Sequence, residues 1–356
     1  MTRSREAATI LKPRTIRVDA STICQLKCPV CPNAQRLYEQ VVVGYGYLRE
    51  SDFRSLLDDN PWISEIELAN SGEVFLNPDL LGIMEYAHRK DVILTINSGA
   101  NLNTVRPEVL DGLVRYRVRS VACALDGTCN ETYTKYRVNG DFDTVLENVK
   151  TIIDLKKRYG SKYPLLRWQF IVFGHNEHEI PVARRMAEEL GMEFDPRFNC
   201  DPGFSPIRDE PLVRREIGAA GVEEFRRVKG DNYGHAVCYQ LWDAPQVNWD
   251  GTMLGCCLNI STDFGNVFRE GLLTVLNSEK MTRAREMLTG VCGPSPDLWC
   301  SSCPQYEYRR SRDWWISRGS YHRAMRYCYE NIRLPYSVKL SAYRVLKGPY
   351  GLPPIF

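Results

Sequence analysis

The sequence predicts an α/β protein whose core is a parallel sheet of six strand–helix units. Short runs rich in β-branched and aromatic residues alternate with amphipathic segments from about Thr15 to Phe198. This alternation is typical of parallel sheets, because parallel neighbours need a crossover segment between them. Six units are too few for a full eight-unit barrel, so a partial barrel is favoured.

The predicted strands are short and mostly bounded by Gly, Asn, Asp or Ser. They are Thr15–Asp19, Glu65–Leu68, Val92–Ile96, Ser120–Leu125, Leu166–Phe173 and Glu193–Phe198. Between them, Asn77-Pro78 has the residue types that open a helix, and Gly191 is expected to end another. A further helix would bury the apolar face formed by Val145, Val149, Ile152 and Ile153.

The chain divides into four predicted regions. Residues 1–205 form the partial barrel, and the proline-containing, charged residues 206–234 form a connector with one exposed helix. Residues 235–304 form a small second unit with its own cysteines, a β-hairpin and a helix. Residues 305–356 form a C-terminal extension rich in arginine and aromatic residues.

The overall composition excludes several classes of protein. The formal net charge is only +2 over 356 residues, which argues against nucleic acid and membrane surfaces as partners. No apolar stretch approaches the ~18 residues of a membrane-spanning helix, and the first residues lack the apolar segment of a secretory signal. We therefore expect a cytoplasmic protein.

Cysteine is abundant and unevenly distributed. Thirteen cysteines in a reducing compartment point to metal or redox chemistry rather than disulfides. One group lies near the start of the chain and another in its last third, which predicts two separate metal centres.

The first group has the spacing C-x3-C-x2-C, formed by Cys24, Cys28 and Cys31 on the loop after the first predicted strand. Active sites of parallel α/β folds gather at that end of the sheet. Three thiolates can hold a 4Fe–4S cluster and leave one iron open for a ligand. A zinc site is the alternative, although zinc normally takes four ligands and no fourth Cys or His lies near in sequence.

This motif after the first strand of a β/α barrel resembles the radical S-adenosylmethionine (radical SAM) superfamily, over roughly Thr15 to Phe198. The stretch NSGEVFLNPDL resembles the element of that family that holds the methionine amino group. The resemblance implies this role for Ser71, Gly72 and Glu73, with serine in place of the usual first glycine.

Other matches follow later predicted strands. The stretch TINSGANL resembles the family's T-N-G element and implies that Asn97, at the end of the third strand, lies near S-adenosylmethionine. The stretch ALDGTCNETYTKYR implies a contact role for Asp126 and Arg137, with Ala124 where the family has serine. Val30 stands where an aromatic residue is common and would still give adenine an apolar contact.

The second cysteine group resembles the auxiliary-cluster extension called SPASM, or its shortened form called twitch. The continuation C-x5-C-x3-C of the full form is absent, so the shortened form fits better. It implies a second 4Fe–4S cluster, and Asp250-Gly251 would place Cys238 and Cys256 on neighbouring hairpin strands. A zinc site remains an alternative, as do Cys257 and Cys292 as ligands. The implied ligands are Cys238, Cys256, Cys300 and Cys303.

The resemblance implies an enzyme that cleaves S-adenosylmethionine reductively and abstracts a hydrogen atom from its substrate, with electrons from an external donor such as a flavodoxin or ferredoxin. An auxiliary cluster would accept a second electron, which favours oxidation of a small molecule. This cysteine spacing resembles enzymes that dehydrogenate or epimerise sugars and aminocyclitols in secondary metabolism. Candidate thiol hydrogen donors are Cys200 and Cys257, and candidate substrate contacts are Arg167, Gln169 and Arg197.

Two other functions compete with this interpretation. Many auxiliary-cluster enzymes are maturases of ribosomally made peptides, although the fourteen residues before Thr15 are too few for a peptide-recognition domain. A non-catalytic iron–sulfur electron carrier is the third hypothesis. A carrier needs neither an open iron nor a large barrel, which makes this the weakest of the three.

Overall fold

The computed structural model describes residues 10–201, 203–229 and 235–316. The greater part of the predicted C-terminal extension, residues 317–356, lies outside the described residues and includes Cys328.

Eight strands of the described residues form one sheet. They are β1 (Thr15–Val18), β2 (Glu65–Glu67), β3 (Ile93–Ala100), β4 (Ser120–Ala124), β5 (Leu165–Val172), β6 (Glu193–Phe198), β7 (Gln246–Val247) and β8 (Met253–Gly255). The order across the sheet is β6-β5-β4-β3-β2-β1-β7-β8, and β1 to β6 pair in parallel with their sequence neighbours. The predicted α/β fold with six parallel units is confirmed.

Helices connect successive strands and continue through the second half of the chain. Within the described residues they are α1 (Glu50–Asp59), α2 (Leu80–Arg89), α3 (Pro107–Arg115), α4 (Asn130–Tyr136), α5 (Phe142–Tyr159), α6 (Ile180–Glu189), α7 (Glu210–Ile217), α8 (Val222–Lys229), α9 (Gln240–Asp243), α10 (Val267–Glu270), α11 (Leu272–Leu276), α12 (Glu279–Leu288) and α13 (Pro304–Ser311). The predicted connector holds two of these helices, α7 and α8, rather than one.

Local sequence sets the ends of the longest helix, α5. The Asp141 side chain accepts a hydrogen bond from the Thr144 N–H at 2.7 Å, which satisfies one of the free N–H groups of the first turn. The helix ends at Gly160, whose φ of 58° lies in the left-handed region that favours glycine. The predicted apolar face is buried at Val145, Val149 and Ile152.

The β7–β8 hairpin belongs to the same sheet as the barrel strands. β7 pairs in parallel with β1 and antiparallel with β8, and Gly251 in the connecting turn has a φ of 87°. The hairpin is confirmed, but the expectation that it carries Cys238 on a strand is wrong. Cys238 lies in a short 3-10 helix (His235–Tyr239), while Cys256 directly follows β8.

One face of the sheet is apolar and packs against the helices. Its buried side chains alternate along the strands, as the two-residue period of a strand requires. Examples from four neighbouring strands are Ile66, Leu94, Val121 and Trp168. The opposite face of the same strands is polar and leads to the site described below. None of the helices in the described part of the chain is both long and apolar enough to cross a membrane.

Trp168 is the largest fully buried side chain of this core, and its indole Nε1 donates to the Leu125 carbonyl oxygen at 2.8 Å. We expect Trp168→Ala to lower the free energy of unfolding by about 3–5 kcal/mol, because it leaves a cavity. The lost hydrogen bond also leaves a buried carbonyl without its partner. Urea titration of the metal-free protein checks this. Val228→Ala, at an exposed position, should change the value by less than about 0.5 kcal/mol, and equal midpoints for the two variants would contradict the assignment of Trp168 to the core.

Candidate active site and auxiliary centre

The loop after β1 gathers three cysteines at the carboxyl end of the parallel strands. The Cys31 N–H donates to the Cys28 carbonyl oxygen at 3.1 Å, which closes a turn between these two residues. The three cysteine side chains belong to one packed cluster. Its other members include Leu26, Val30, Tyr136, Ile171, Phe173 and Phe204. The loop therefore presents Cys24, Cys28 and Cys31 in a shared apolar and aromatic setting.

Burial opposes ionisation of these thiols. Burial and the nearby carboxylate of Glu73 raise the pKa of Cys24 to about 12, and burial raises the pKa of Cys28. Such thiols keep their protons at neutral pH unless a metal takes the place of the proton. The donor set suits a soft-metal or iron–sulfur centre better than a free reactive thiolate.

Two N–H donors point at the sulfurs. Nη1 of Arg137 lies 3.9 Å from Sγ of Cys28, and Nδ2 of Asn101 lies 3.7 Å from Sγ of Cys24. Nε of Arg137 donates to Oδ2 of buried Asp126 at 2.6 Å, which fixes the guanidinium. Hydrogen bonds to sulfur tune iron–sulfur clusters, so the surroundings of the loop fit such a group.

The segment after β2 is held tightly against the cysteine loop at Gly72. This residue has a φ of 79°, and a Cβ atom built there would lie 2.5 Å from the Thr22 carbonyl carbon. No other residue fits without moving the backbone. Its neighbour Ser71 donates its N–H to Oδ1 of Asp19 at 2.9 Å. Ser71 and Gly72 thus lie against the base of the cysteine loop.

Glu73 links three strand ends. Its N–H donates to the Ile23 carbonyl oxygen at 2.8 Å, and its Oε2 accepts the N–H of Asn101 at 2.7 Å. Its Oε1 accepts the Phe75 N–H at 3.2 Å. Burial raises the pKa of Glu73 to about 7. Its role toward a methionine amino group stays a prediction, and its present contacts organise the loop that carries Cys24.

Asn97 does not end the third strand, contrary to expectation. β3 continues to Ala100, with a register shift against β4 and a φ of 99° at Gly99. Oδ1 of Asn97 instead accepts hydrogen bonds from Ser120 Oγ at 2.8 Å and from Arg167. The residue at the strand end is Asn101, which the sequence analysis missed because Asn97-Ser98-Gly99 has the composition of a turn.

Asp126 and its surroundings lie beside the cysteine loop. Oδ1 of Asp126 accepts the Ile171 N–H at 2.6 Å, while Oδ2 holds Arg137. A Cβ atom at Gly127 would lie 2.8 Å from the Tyr133 nitrogen, so this turn also requires glycine. Val30 and Ile171 belong to the same packed cluster as the cysteines. The predicted residues of this strand end are therefore brought together with the loop.

The polar face of the sheet forms a continuous hydrogen-bond network. Arg17 of β1 donates to Gln246 Oε1 at 3.0 Å and to Ser98 Oγ at 2.9 Å. Arg197 of β6 donates to Asp195 Oδ2 at 2.9 Å and to the Asn97 carbonyl oxygen at 3.3 Å. These bonds involve residues of β1, β3, β6 and β7, so the face is charged and its side chains reach across several strands.

Gln169 of β5 lies on this polar face, and its side-chain amide lacks one hydrogen-bond partner among the described residues. Its residue is 3% exposed, and among the described residues its Oε1 has no hydrogen-bond partner. A Cβ atom at Gly99 would lie 2.6 Å from its Nε2, so the amide is pressed against β3. A buried acceptor of this kind is costly unless a ligand or water donates to it.

The two candidate thiol donors differ in their surroundings. Cys200 follows β6, is exposed, and its Sγ donates to the Phe198 carbonyl oxygen at 3.9 Å. Cys257 is partly buried, and its carbonyl oxygen accepts a hydrogen bond from Nδ2 of Asn70, the neighbour of Ser71, at 3.2 Å. Its N–H donates to Gln240 Oε1 at 2.7 Å. Cys257 therefore belongs to the barrel mouth as well as to the second cysteine group.

The second group brings together cysteines from three parts of the chain. Each of the four predicted ligands is 6–8% exposed. They are Cys238, Cys256, Cys300 and Cys303. Burial, together with the neighbouring Cys238 and Cys303, raises the pKa of Cys300 to about 12. The thiol of Cys256 interacts with those of Cys257, Cys300 and Cys238. The all-sulfur chemistry of the set fits an iron–sulfur cluster.

Cys292 and Cys257 have other contacts. Sγ of Cys292 donates to the Arg283 carbonyl oxygen at 3.9 Å, and the Cys257 N–H donates to Gln240 Oε1 at 2.7 Å. Across the described ranges, no three His, Cys, Asp or Glu side chains converge on a point that could hold a single metal ion.

The two regions that contain the cysteine groups each match the model of a known protein family. The model of the Radical SAM superfamily matches residues 18–186, and the model of the SPASM iron–sulfur cluster-binding domain matches residues 238–304. No curated protein matches the sequence significantly.

Solved structures share the fold at low sequence identity. Streptococcus suis SuiB bound to S-adenosylmethionine is 14% identical, with a TM-score of 0.60, over 83% of this chain and 71% of that chain. The hexahistidine-tagged protein anSMEcpe with bound AdoMet is 13% identical, with a TM-score of 0.53, over 94% of this chain and 98% of that chain. The chain belongs to the radical SAM superfamily and carries a SPASM iron–sulfur cluster-binding domain.

Proposed function

We propose that this radical SAM enzyme abstracts a hydrogen atom from a small polar substrate of the sugar or aminocyclitol kind, for dehydrogenation or epimerisation. The observation that carries the proposal is the polar inner face of the barrel, above all the buried Gln169 Oε1 without a partner among the described residues. A hydroxyl or ammonium group of such a substrate would donate to it.

Two iron–sulfur clusters and S-adenosylmethionine are the cofactors of this proposal. Cys24, Cys28 and Cys31 would hold a 4Fe–4S cluster with an open iron. Cys238, Cys256, Cys300 and Cys303 would hold the auxiliary cluster of a twitch-type domain. When bound, the open-iron cluster and S-adenosylmethionine supply a 5′-deoxyadenosyl radical. A flavodoxin or ferredoxin would be the electron donor. The proposed contacts to S-adenosylmethionine are Val30, Ser71, Gly72, Glu73, Asn97, Asp126 and Arg137.

Charged side chains of the inner face would orient the substrate. Arg167 and Arg197 share the carboxylate of Asp195, at 3.8 and 2.9 Å. These guanidinium groups are partly exposed, so they remain able to donate to substrate oxygens. A small molecule rich in hydroxyl groups would satisfy both these donors and the acceptor on Gln169. An apolar substrate would leave the buried acceptor of Gln169 without a donor, at a cost of about 1–3 kcal/mol.

Cys257 is the better placed of the two thiols for an epimerisation. This reaction returns a hydrogen atom to the substrate carbon, and a thiol S–H is a suitable donor. Cys257 is hydrogen-bonded through its carbonyl oxygen to Asn70, beside the proposed S-adenosylmethionine contact Ser71, whereas Cys200 is exposed beyond β6. Dehydrogenation would need no such donor, so the role of Cys257 separates the two reactions.

Removing each cysteine set separately tests the two centres. After anaerobic reconstitution we expect about eight irons per chain, since two cubane clusters hold four each. Replacing Cys24, Cys28 and Cys31 with Ala should halve the iron and abolish formation of 5′-deoxyadenosine. Replacing Cys300 and Cys303 with Ala should also halve the iron but leave some cleavage. Iron analysis and chromatography of the products measure both.

Cys129→Ala is the matched control, because this exposed cysteine belongs to neither set. It should keep the full iron content and the full cleavage activity. Zinc in place of iron in the wild-type protein, or cleavage that survives the triple replacement, would contradict the proposal.

Gly72→Ala tests the contact beneath the S-adenosylmethionine site. The new Cβ would meet the Thr22 backbone, so we expect Glu73 to be displaced and S-adenosylmethionine affinity to fall at least about tenfold, or 1.4 kcal/mol. Equilibrium binding of S-adenosylmethionine to the reconstituted protein measures this. Gly221→Ala, where a Cβ meets nothing within 4 Å, should bind as the wild type does, and unchanged affinity in Gly72→Ala would exclude this contact.

A panel of deuterated compounds tests the substrate class. We expect an aminocyclitol or sugar to accelerate formation of 5′-deoxyadenosine and to transfer deuterium into it. Mass spectrometry of the nucleoside gives the readout. Acceleration by peptides alone would instead favour the alternative of a peptide maturase, and iron loading without any S-adenosylmethionine cleavage would favour an electron carrier.

A further inference from the structure

A buried arginine stands at the second cysteine group. Arg309 lies on α13, the helix that begins directly after Cys303, and the residue is only 1% exposed. A guanidinium keeps its charge at every accessible pH, and burying it is costly unless negative groups surround it. Negative charge in the interior close to this guanidinium would offset the cost.

The contacts of this guanidinium lead to the auxiliary ligands. The helix that carries it begins directly after Cys303, and one of the rings beneath it belongs to Tyr239, the residue that follows Cys238. Nη1 of the guanidinium donates to the Trp314 carbonyl oxygen at 3.4 Å. It also lies over two aromatic rings, at 5.5 Å from the centre of Tyr239 and 5.1 Å from that of Trp314. These contacts hold the charge in one place beside Cys238.

The cysteine set beside it gains negative charge when a cluster binds. Metal binding requires Cys238, Cys256, Cys300 and Cys303 as thiolates, and each one-electron reduction of a cluster adds a further negative charge. In a buried site a nearby fixed cation favours the more negative state, because the interior screens charges weakly.

We propose that Arg309 is a positioning residue of the auxiliary centre: its guanidinium balances the charge of the four thiolates and raises the reduction potential of the cluster. This inference rests on the proposed function, because it requires an iron–sulfur cluster on Cys238, Cys256, Cys300 and Cys303. Arg309 would act on the cluster through its fixed charge beside these ligands, not by contact with the substrate.

The test uses the full-length chain with Cys24, Cys28 and Cys31 replaced by Ala. All bound iron and the whole redox signal then come from the auxiliary centre. Into this parent we introduce Arg309→Gln, which removes the charge, or Arg309→Lys, which keeps it. The control is Arg310→Gln, whose side chain is 48% exposed and pairs with Glu307 at 2.8 Å. Each protein is reconstituted anaerobically, its iron is counted, and the cluster is titrated by redox-controlled electron paramagnetic resonance.

We expect Arg309→Gln to lower the equilibrium constant for one-electron reduction at least about tenfold, a shift of about 59 mV to more negative potential. Arg309→Lys should stay close to the parent, and Arg310→Gln should equal it. If Arg309→Gln cannot hold iron, retention of iron and potential in Arg309→Lys supports the same conclusion.

Three results would overturn the inference. One is an unchanged potential in Arg309→Gln with its full iron content. Another is an equal shift, or an equal loss of iron, in Arg309→Gln and Arg309→Lys, because lysine keeps the charge. The last is a parent protein without iron, which would remove the auxiliary centre itself. In that case S-adenosylmethionine cleavage by the wild-type protein still tests the first centre separately.

Discussion

The contact between Gly72 and the backbone of Ser21 and Thr22 is the constraint on which the site depends. It brings the segment after β2 so close to the segment after β1 that no side chain fits between them. The next residue, Glu73, can then bond the Ile23 carbonyl and the Asn101 N–H. Three strand ends become one unit, and the cysteine loop rests on it. Parallel strands supply the common edge, but this contact sets the spacing at that edge.

The features predictable from sequence are those encoded locally. The spacing of Cys24, Cys28 and Cys31 lies within eight residues, and the alternation of strands and helices is a repeated local pattern. The residues that cap the two ends of α5, Asp141 and Gly160, are likewise its direct neighbours in the sequence. For such features a short stretch of sequence is sufficient to predict the local structure, and the observed structure agrees.

The features that escaped prediction depend on distant partners. Asn101 was missed because the positive φ of Gly99 lets β3 run through a stretch with the composition of a turn. Arg309 belongs to a stretch rich in arginine, and only its packing against the rings of Tyr239 and Trp314 distinguishes it as buried. Cys238 was expected on a strand because the turn at Gly251 predicts a hairpin but not its length. Burial and pairing across the chain decide each of these cases.

The pairing of β7 with β1 has a consequence for the relation between the two cysteine groups. The edge of β1 that β2 leaves open is covered by a strand from the SPASM region. Main-chain hydrogen bonds therefore join the two regions, and the separation of their cysteines does not depend on a flexible tether. Without residues 246–255, β1 would present unpaired N–H and carbonyl groups, a known site of aggregation. The SPASM region therefore completes the sheet beside β1, and its removal would expose main-chain groups of the strand that leads into the cysteine loop.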